Sequence, residues 1–307
     1  MTTSIWLGVL EQGLLWGVMV LGVYITFRVL DFPDLTVDGS FTLGAAVAAR
    51  MIIEGQDPWL GTLLALFAGA AAGFVTGFLN TRLRIAPLLS GILMMIALYS
   101  INLRVMGNKS MISLLRMDNI YTDVANIGVP AGMAVLTFGL VIITLTTYLL
   151  YAFLQTEIGM ALRATGDNEQ MIRSLGVNTN STKILGLSMG NALVAMSGAL
   201  VAQYQSYSDV GMGIGMIVVG LASVIVGEVV IGKRTLLRTL VAVLIGSIIY
   251  RAVIAAVMQL GLPTTDLKLF TALLVIFAMS SPLIKEKLSA PPGRAKGSVD
   301  HAVNSGN

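Results

Sequence analysis

Apolar residues fall along this chain in long runs separated by short polar breaks. A helix needs about 20 mainly apolar residues to cross the hydrocarbon core of a bilayer. Runs near that length occupy residues 6–28, 59–79, 85–106, 131–153, 184–205, 211–231, 235–259 and 267–284, and a shorter one, richer in Gly and Ala, occupies 38–53. The breaks between them are 29–37, 54–58, 80–84, 107–130, 154–183, 232–234 and 260–266. Backbone polar groups in lipid must be satisfied within the segment, so each run predicts a helix. The pattern predicts an all-α polytopic membrane protein with about nine transmembrane helices, one or more of them discontinuous. An odd number puts the two chain ends on opposite faces.

Composition agrees with the pattern. Of 307 residues, 56% are hydrophobic and 11% charged, against about 25% charged in a soluble domain. The charges set the orientation. With the N-terminus outside, thirteen cations face inward: Arg28, Arg82, Arg84, Arg163, Arg173, Lys183, Lys233, Arg234, Arg238, Lys285, Lys287, Arg294 and Lys296. Five face outward (Arg50, Arg104, Lys109, Arg116 and Lys268), and Arg251 lies within a span. The positive-inside bias therefore predicts N-out and C-in. The net charge of +3 reads as topology, because the cations sit at the ends of apolar runs; no nucleic-acid partner is expected. Met1 to Ile5 lacks a basic n-region, so the first run is read as retained. Residues 1–285 form the membrane domain, with a loop at 154–183, and 286–307 read as a disordered cytoplasmic tail with little to bury.

Several chemistries are excluded. Cysteine is absent and the single histidine, His301, lies in the tail. Metal clusters of Cys and His and nucleophile–histidine catalysis lack their parts, so no catalytic and no metal-ligating residue is assigned. The Gly-rich run at 211–227 lacks the Lys and Ser/Thr of a phosphate-binding loop. Its small residues instead favour close helix contact.

The most informative segment is TEIGMALRATGDNEQMIRSLGVNTNSTK, residues 156–183. Asp167 can cap a helix starting at Asn168, with Gln170 completing a capping box and Gly176 suited to a left-handed C-terminal position. Met171, Ile172 and Leu175 are spaced to share one face of that helix. So short a helix needs a surface to pack on, either its own bundle or a partner.

Other polar residues within apolar runs are candidates for a pathway. Three carboxylates, Asp31, Asp34 and Asp38, cluster around Pro33 and Gly39; non-helical backbone at membrane depth survives only where it is buried or lines a wet cavity. Asp34, Asp38 and Ser40 are therefore pathway candidates. Asp38 could equally be the N-cap of a helix beginning at Gly39, with Ser40 assisting, and Asp34 the cap of a preceding turn. Tyr99 and Asn102, three apart on one helix face, are further pathway candidates, whereas Ser100 reads as interhelical glue. Arg251 demands a partner: Glu11 matches it in depth, with Asp209 and Asp266 as alternatives. Glu228 reads as snorkelling or pairing with Lys233 or Arg234. The breaks at 31–40 and 206–215 echo each other, each an Asp- and Gly-containing step before a Gly-rich run.

The loop resembles the signature of importer permeases of the ribose and branched-chain amino acid type, a T-x-x-G-x-x-x-R-A-x-G-x-N pattern occupied here by Thr156, Gly159, Arg163, Ala164, Gly166 and Asn168, with Gly176 beyond it. LDFPDLTVDGSFTLGAAVAA (30–49) and RIAPLLSGILMMIALYSINLRVMG (84–107) resemble the subfamily of these permeases that is uncharacterised or linked to tryptophan and tyrosine uptake. The resemblance spans most of 5–285. It implies a multi-pass protein of the bacterial cytoplasmic (inner) membrane that pairs with a second copy of itself. It further implies two cytoplasmic ATPase subunits that bind ATP and Mg and dock on the loop, and an extracytoplasmic binding protein that delivers an aromatic or hydrophobic amino acid. This chain itself would bind no cofactor and would not be an enzyme. The competing reading is a secondary transporter in which the buried carboxylates couple ions to transport.

Overall fold

The computed structural model describes residues 2–232 and 234–259, together with Leu269, Leu273, Ile276 and Ser280. The first apolar run forms α1 (Thr2–Val23), which widens into a π-helical stretch, Tyr24–Val29. The amides of Leu30 and Phe32 reach back to the carbonyls of Ile25 and Thr26. Pro33 has no N–H and disfavours helix in the residue before it, so the chain stays non-helical to Leu35 and resumes as α2 (Thr36–Ile53). α3 (Pro58–Thr81) begins where the Asp57 side chain accepts from the Trp59 amide at 2.9 Å, with proline at the first helical position. α4 (Pro87–Val105) starts on proline in the same way.

Beyond α4 the chain forms a three-residue strand β1 (Met111–Ser113), α5 (Ile120–Asn126), α6 (Ala134–Gln155), α7 (Glu157–Asp167), α8 (Glu169–Ser174) and α9 (Thr179–Gln205). Strand β2 (Tyr207–Asp209) pairs antiparallel with β1, Ile112 opposite Ser208, and α10 (Met216–Ile231) and α11 (Leu236–Gln259) follow. The β1–β2 ribbon and α5 lie at one end of the bundle, and α5 is held to α9 by Tyr121 Oη donating to the Leu200 carbonyl and by Gln203 Oε1 accepting from the Ile120 amide. The segments α7 and α8 lie at the other end.

Burial ranks the helices. α1, α2 and α9 are the enclosed ones, whereas α3, α4, α6 and α11 turn much of their apolar surface outward. The core runs through Leu15, Met19, Ile25, Phe41, Leu187, Val194 and Leu200. Along α3, Gly69, Gly73 and Gly77 sit four apart against α9; a Cβ at Gly73 would run into the Leu187 carbonyl, the close approach that small residues allow in membranes.

Seven helices among the described residues are long and apolar enough to span: Ile5–Val29, Thr36–Ile53, Pro58–Thr81, Pro87–Val105, Ala134–Gln155, Thr179–Gln205 and Leu236–Gln259. Two expectations change. The expected 38–53 span begins at Thr36, so Asp38 lies in its first turn and is not its N-cap. The expected run at 211–231 is helical only from Met216, because Gly215 turns the chain with φ +86°; α10 is 16 residues, about 24 Å. Glu228 accepts twice from Arg28, at 2.7 and 3.0 Å, a partner the sequence did not suggest, which fastens the ends of the π-helical stretch and α10 together; Lys233, one of its expected partners, lies outside the described residues. The expected run at 267–284, apart from the four residues named above, and the expected tail at 286–307 lie outside the described residues.

Candidate functional site

The two echoing breaks meet in space. The one between α1 and α2 carries Asp34, which is 1% exposed. Its Oδ1 accepts from the Thr36 amide at 2.9 Å, a local cap on α2, and its Oδ2 accepts from Asn191 Nδ2 at 2.7 Å. Asn191 lies near the middle of α9, so this carboxyl is fixed deep within the bundle. One turn along α2, Asp38 reaches the second break. Its Oδ2 accepts from the Gly215 amide and its Oδ1 from the Ile217 amide, both at 2.8 Å. Asp38 is thus a cap, but for α10 rather than for its own helix. Thr42 Oγ1 accepts from the Gly213 amide at 3.1 Å and donates to the Asp38 carbonyl. A half-length helix starting inside the bundle leaves orphan N–H groups there, and α2 supplies their acceptors.

Beside this junction lies a cavity of about 400 Å³ lined by Asp38, Gly39, Thr42, Met95, Ile96, Tyr99, Ser100, Asn102, Val210 and Ile214. Three expected pathway residues, Asp38, Tyr99 and Asn102, therefore converge on one cavity. Ser100, expected as interhelical glue, lines the same cavity. Asp34 and Ser40 do not line it: Asp34 is spent on Thr36 and Asn191, and Ser40 is fully buried. Asn191, Thr42 and the Gly213–Ile217 amides were missed by sequence reasoning. An amide within the apolar run 184–205 was the available signal for Asn191.

The expected Glu11–Arg251 pair is not formed. The Arg251 guanidinium lies over the Trp16 ring, 3.8 Å from its centroid, and Glu11 Oε2 accepts instead from Tyr204 Oη at 3.3 Å. The reason lies in helix geometry. Gly13 faces α11, with Ser247 donating to its carbonyl. Trp16, three residues on, shares that face, whereas Glu11, two residues back, does not. A guanidinium on an indole face is a favourable arrangement where water is scarce.

At the α7–α8 end, Thr156 caps α7, its Oγ1 accepting from the Gly159 amide at 3.2 Å. Gly159 and Gly166 are packed where a Cβ would strike the Phe153 and Val29 carbonyls, and Leu162 is fully buried. Arg163 is exposed and Ala164 half-buried. Asp167 ends α7 and does not cap the next helix. Asn168 does so, accepting from the Met171 amide at 3.0 Å, because its extended backbone aims the amide oxygen along the helix that follows. Gly176 takes φ +86° as expected. The expected common face of Met171, Ile172 and Leu175 is split. Ile172 is buried, while Met171 (56% exposed) and Leu175 (68%) point outward. Met171 and Leu175, four apart and joined by the bond from the Leu175 amide to the Met171 carbonyl, share the outward face, and Ile172, about 100° round the helix from Met171, is the one that turns inward.

Glu169 ties this short helix to α9. Its Oε1 accepts from Arg173 Nη2 at 2.6 Å and from the Thr179 hydroxyl at 3.1 Å, and its Oε2 from Lys183 Nζ at 2.7 Å. Partial burial pushes the Glu169 carboxyl up, but Lys183, Thr179 and Arg173 together outweigh it and hold the group below the usual carboxylate range.

Comparison with known proteins places these features. Residues 5–279 match the family described as branched-chain amino acid transport system / permease component. The chain is 44% identical over 270 residues to a tyrosine transport system permease protein of Clostridioides difficile, covering 88% of each chain. It is 34% identical over 278 residues to an uncharacterized protein of Rickettsia prowazekii, covering 89% of this chain and 95% of that one. An autoinducer 2 import system permease protein of Yersinia enterocolitica is 27% identical over 227 residues, 73% of this chain and 61% of that one. No solved structure matches the chain.

Proposed function

The chain belongs to the branched-chain amino acid transport system permease family, and on that premise we propose that it is the membrane-spanning subunit of an ATP-driven importer for an aromatic or other hydrophobic amino acid. Two copies form the pathway, two ATPase subunits holding ATP and Mg drive it from the cytoplasm, and an extracytoplasmic binding protein delivers the solute. The α7–α8 end faces the cytoplasm, since Arg28, Arg82, Arg84, Arg163, Arg173 and Lys183 gather toward it. The name of the Clostridioides difficile relative supports the solute class. The small residues of α3 and α10 are consumed inside the protomer, Gly73 on α9 and Gly220 on Val23, so pairing of two copies uses other surface.

The observation that carries the reading is the exposed apolar pair Met171 and Leu175 on a helix of only six residues. Isolated helices this short do not persist in water. Here one is capped, clamped by Glu169 and made to present two large apolar side chains to the cytoplasm, a projection suited to a groove on a partner. Motion of that partner passes to the bundle by contact: Lys183 belongs to α9, and α9 carries Asn191, which holds Asp34. Replacing Leu175 with Asp should reduce ATPase association and abolish uptake in a reconstituted system while the permease itself folds normally. Retention of both activities would overturn the coupling assignment.

A further inference from the structure

The cavity between α2, α4 and the start of α10 has acceptors and, among the described residues, no cation. Resting on the importer reading, we propose that it is a solute site within the membrane that receives the ammonium end of a small amine with an apolar or aromatic body, Asn102 Oδ1 and Asp38 being its acceptors. Asn102 is 1% exposed and its Nδ2 donates to the Gly39 carbonyl at 3.1 Å. The reversed amide would set oxygen against oxygen, so the orientation is fixed and Oδ1 is left accepting from nothing among the described residues. An orphaned buried acceptor is costly, and a donor brought by a ligand removes the cost.

Asp38 offers a second acceptor. Each of its carboxyl oxygens takes one backbone N–H from the α10 start, and each keeps a further lone pair. Thr42 is spent on Gly213 and on the Asp38 carbonyl. Among the described residues no Lys, Arg or His lines the cavity, so no cation of this wall would pair the acidic end of a zwitterion. The remaining lining, Met95, Ile96, Val210 and Ile214, is apolar. The Tyr99 ring adds a π face that suits both a cation and an aromatic ring. A volume of about 400 Å³ is within the usual range for small-molecule sites.

The test is equilibrium binding of three probes to the complete permease–ATPase complex in lipid nanodiscs, without the binding protein. The probes are L-tyrosine, tyramine, which lacks the carboxylate, and 3-(4-hydroxyphenyl)propionate, which lacks the amine. Tyrosine and tyramine should bind and the propionate should not. Ile96→Trp, a change at a side chain 60% exposed in this chain, should fill the cavity and weaken both amines by about tenfold or more. Asn102→Leu should do likewise in material that elutes as the intact complex. Equal binding of tyramine and the propionate, no binding of either amine to the wild type, or tyramine binding unaltered by Ile96→Trp would each overturn the site. ATP-dependent uptake by the complete wild-type system is measured in parallel. Uptake without the predicted binding pattern sinks this inference alone, whereas amine binding without ATP-dependent uptake sinks the importer reading and leaves the site standing.

Discussion

Replacing Asp38 with Ala removes the carboxylate that caps the start of α10, and the structure sets the expected effect. Two backbone donors, the amides of Gly215 and Ile217, lose their partners. Each orphaned donor costs about 1–3 kcal/mol. Because the junction borders a cavity that admits water, the lower part of that range applies, giving about 2–3 kcal/mol for the pair. Asp38→Asn keeps one acceptor oxygen and should cost about half as much. The perturbation is local, so hydrogen exchange followed by mass spectrometry is the assay. Peptides covering 213–219 should exchange about thirtyfold to a hundredfold faster in Asp38→Ala, with intermediate acceleration in Asp38→Asn. Peptides from α7 and α8 should be unchanged. Unaltered protection at 213–219 in the Ala variant would refute the claim that α2 caps α10.

Gly73→Val should destabilise the fold by at least about 1–3 kcal/mol through overpacking of α3 on α9, read as a lowered melting temperature in detergent. Trp16→Leu should cost about 1–2 kcal/mol by removing the indole under Arg251, whereas Glu11→Gln should leave the melting temperature nearly unchanged; the reverse order would restore the Glu11–Arg251 pair. Glu169 has its folded pKa held below the ordinary value of 4.5, so the stability it contributes is present above about pH 4.5 and is lost as the pH falls through the lower folded value. The stability difference between wild type and Glu169→Gln, followed by thermal unfolding against pH, should therefore persist at neutral pH and vanish in acid. A difference that grows as pH falls would contradict the clamp.

The sequence made the membrane architecture legible because a bilayer imposes one length on every crossing, and α3, α4, α6 and α11 turn much of that apolar surface outward. It also marked Asp38, Tyr99 and Asn102, since a polar group in an apolar run must serve either structure or passage. What it could not carry was the identity of partners distant in the chain. Asp38 binds amides 177 and 179 positions away, so its capping role was assigned to the nearest helix start. Arg251 was matched to Glu11 by depth alone. The face of α1 on which Gly13 meets α11 decides otherwise and selects Trp16. Three-residue strands such as β1 and β2 present no alternation to detect. Spacing alone grouped Met171, Ile172 and Leu175 on one face, but it could not say which side of that wide stripe meets the bundle: Ile172 is buried, and Met171 and Leu175 are exposed.

In the proposed cycle, ATP hydrolysed on a partner drives solute inward through this chain. Its most direct measurement is uptake of radiolabelled tyrosine into sealed proteoliposomes containing the permease, its ATPase and its binding protein, with ATP, a proton gradient or a sodium gradient supplied one at a time. Accumulation is expected with ATP alone and should be lost in Leu175→Asp; accumulation driven by either ion gradient without ATP would overturn the ATP-driven cycle.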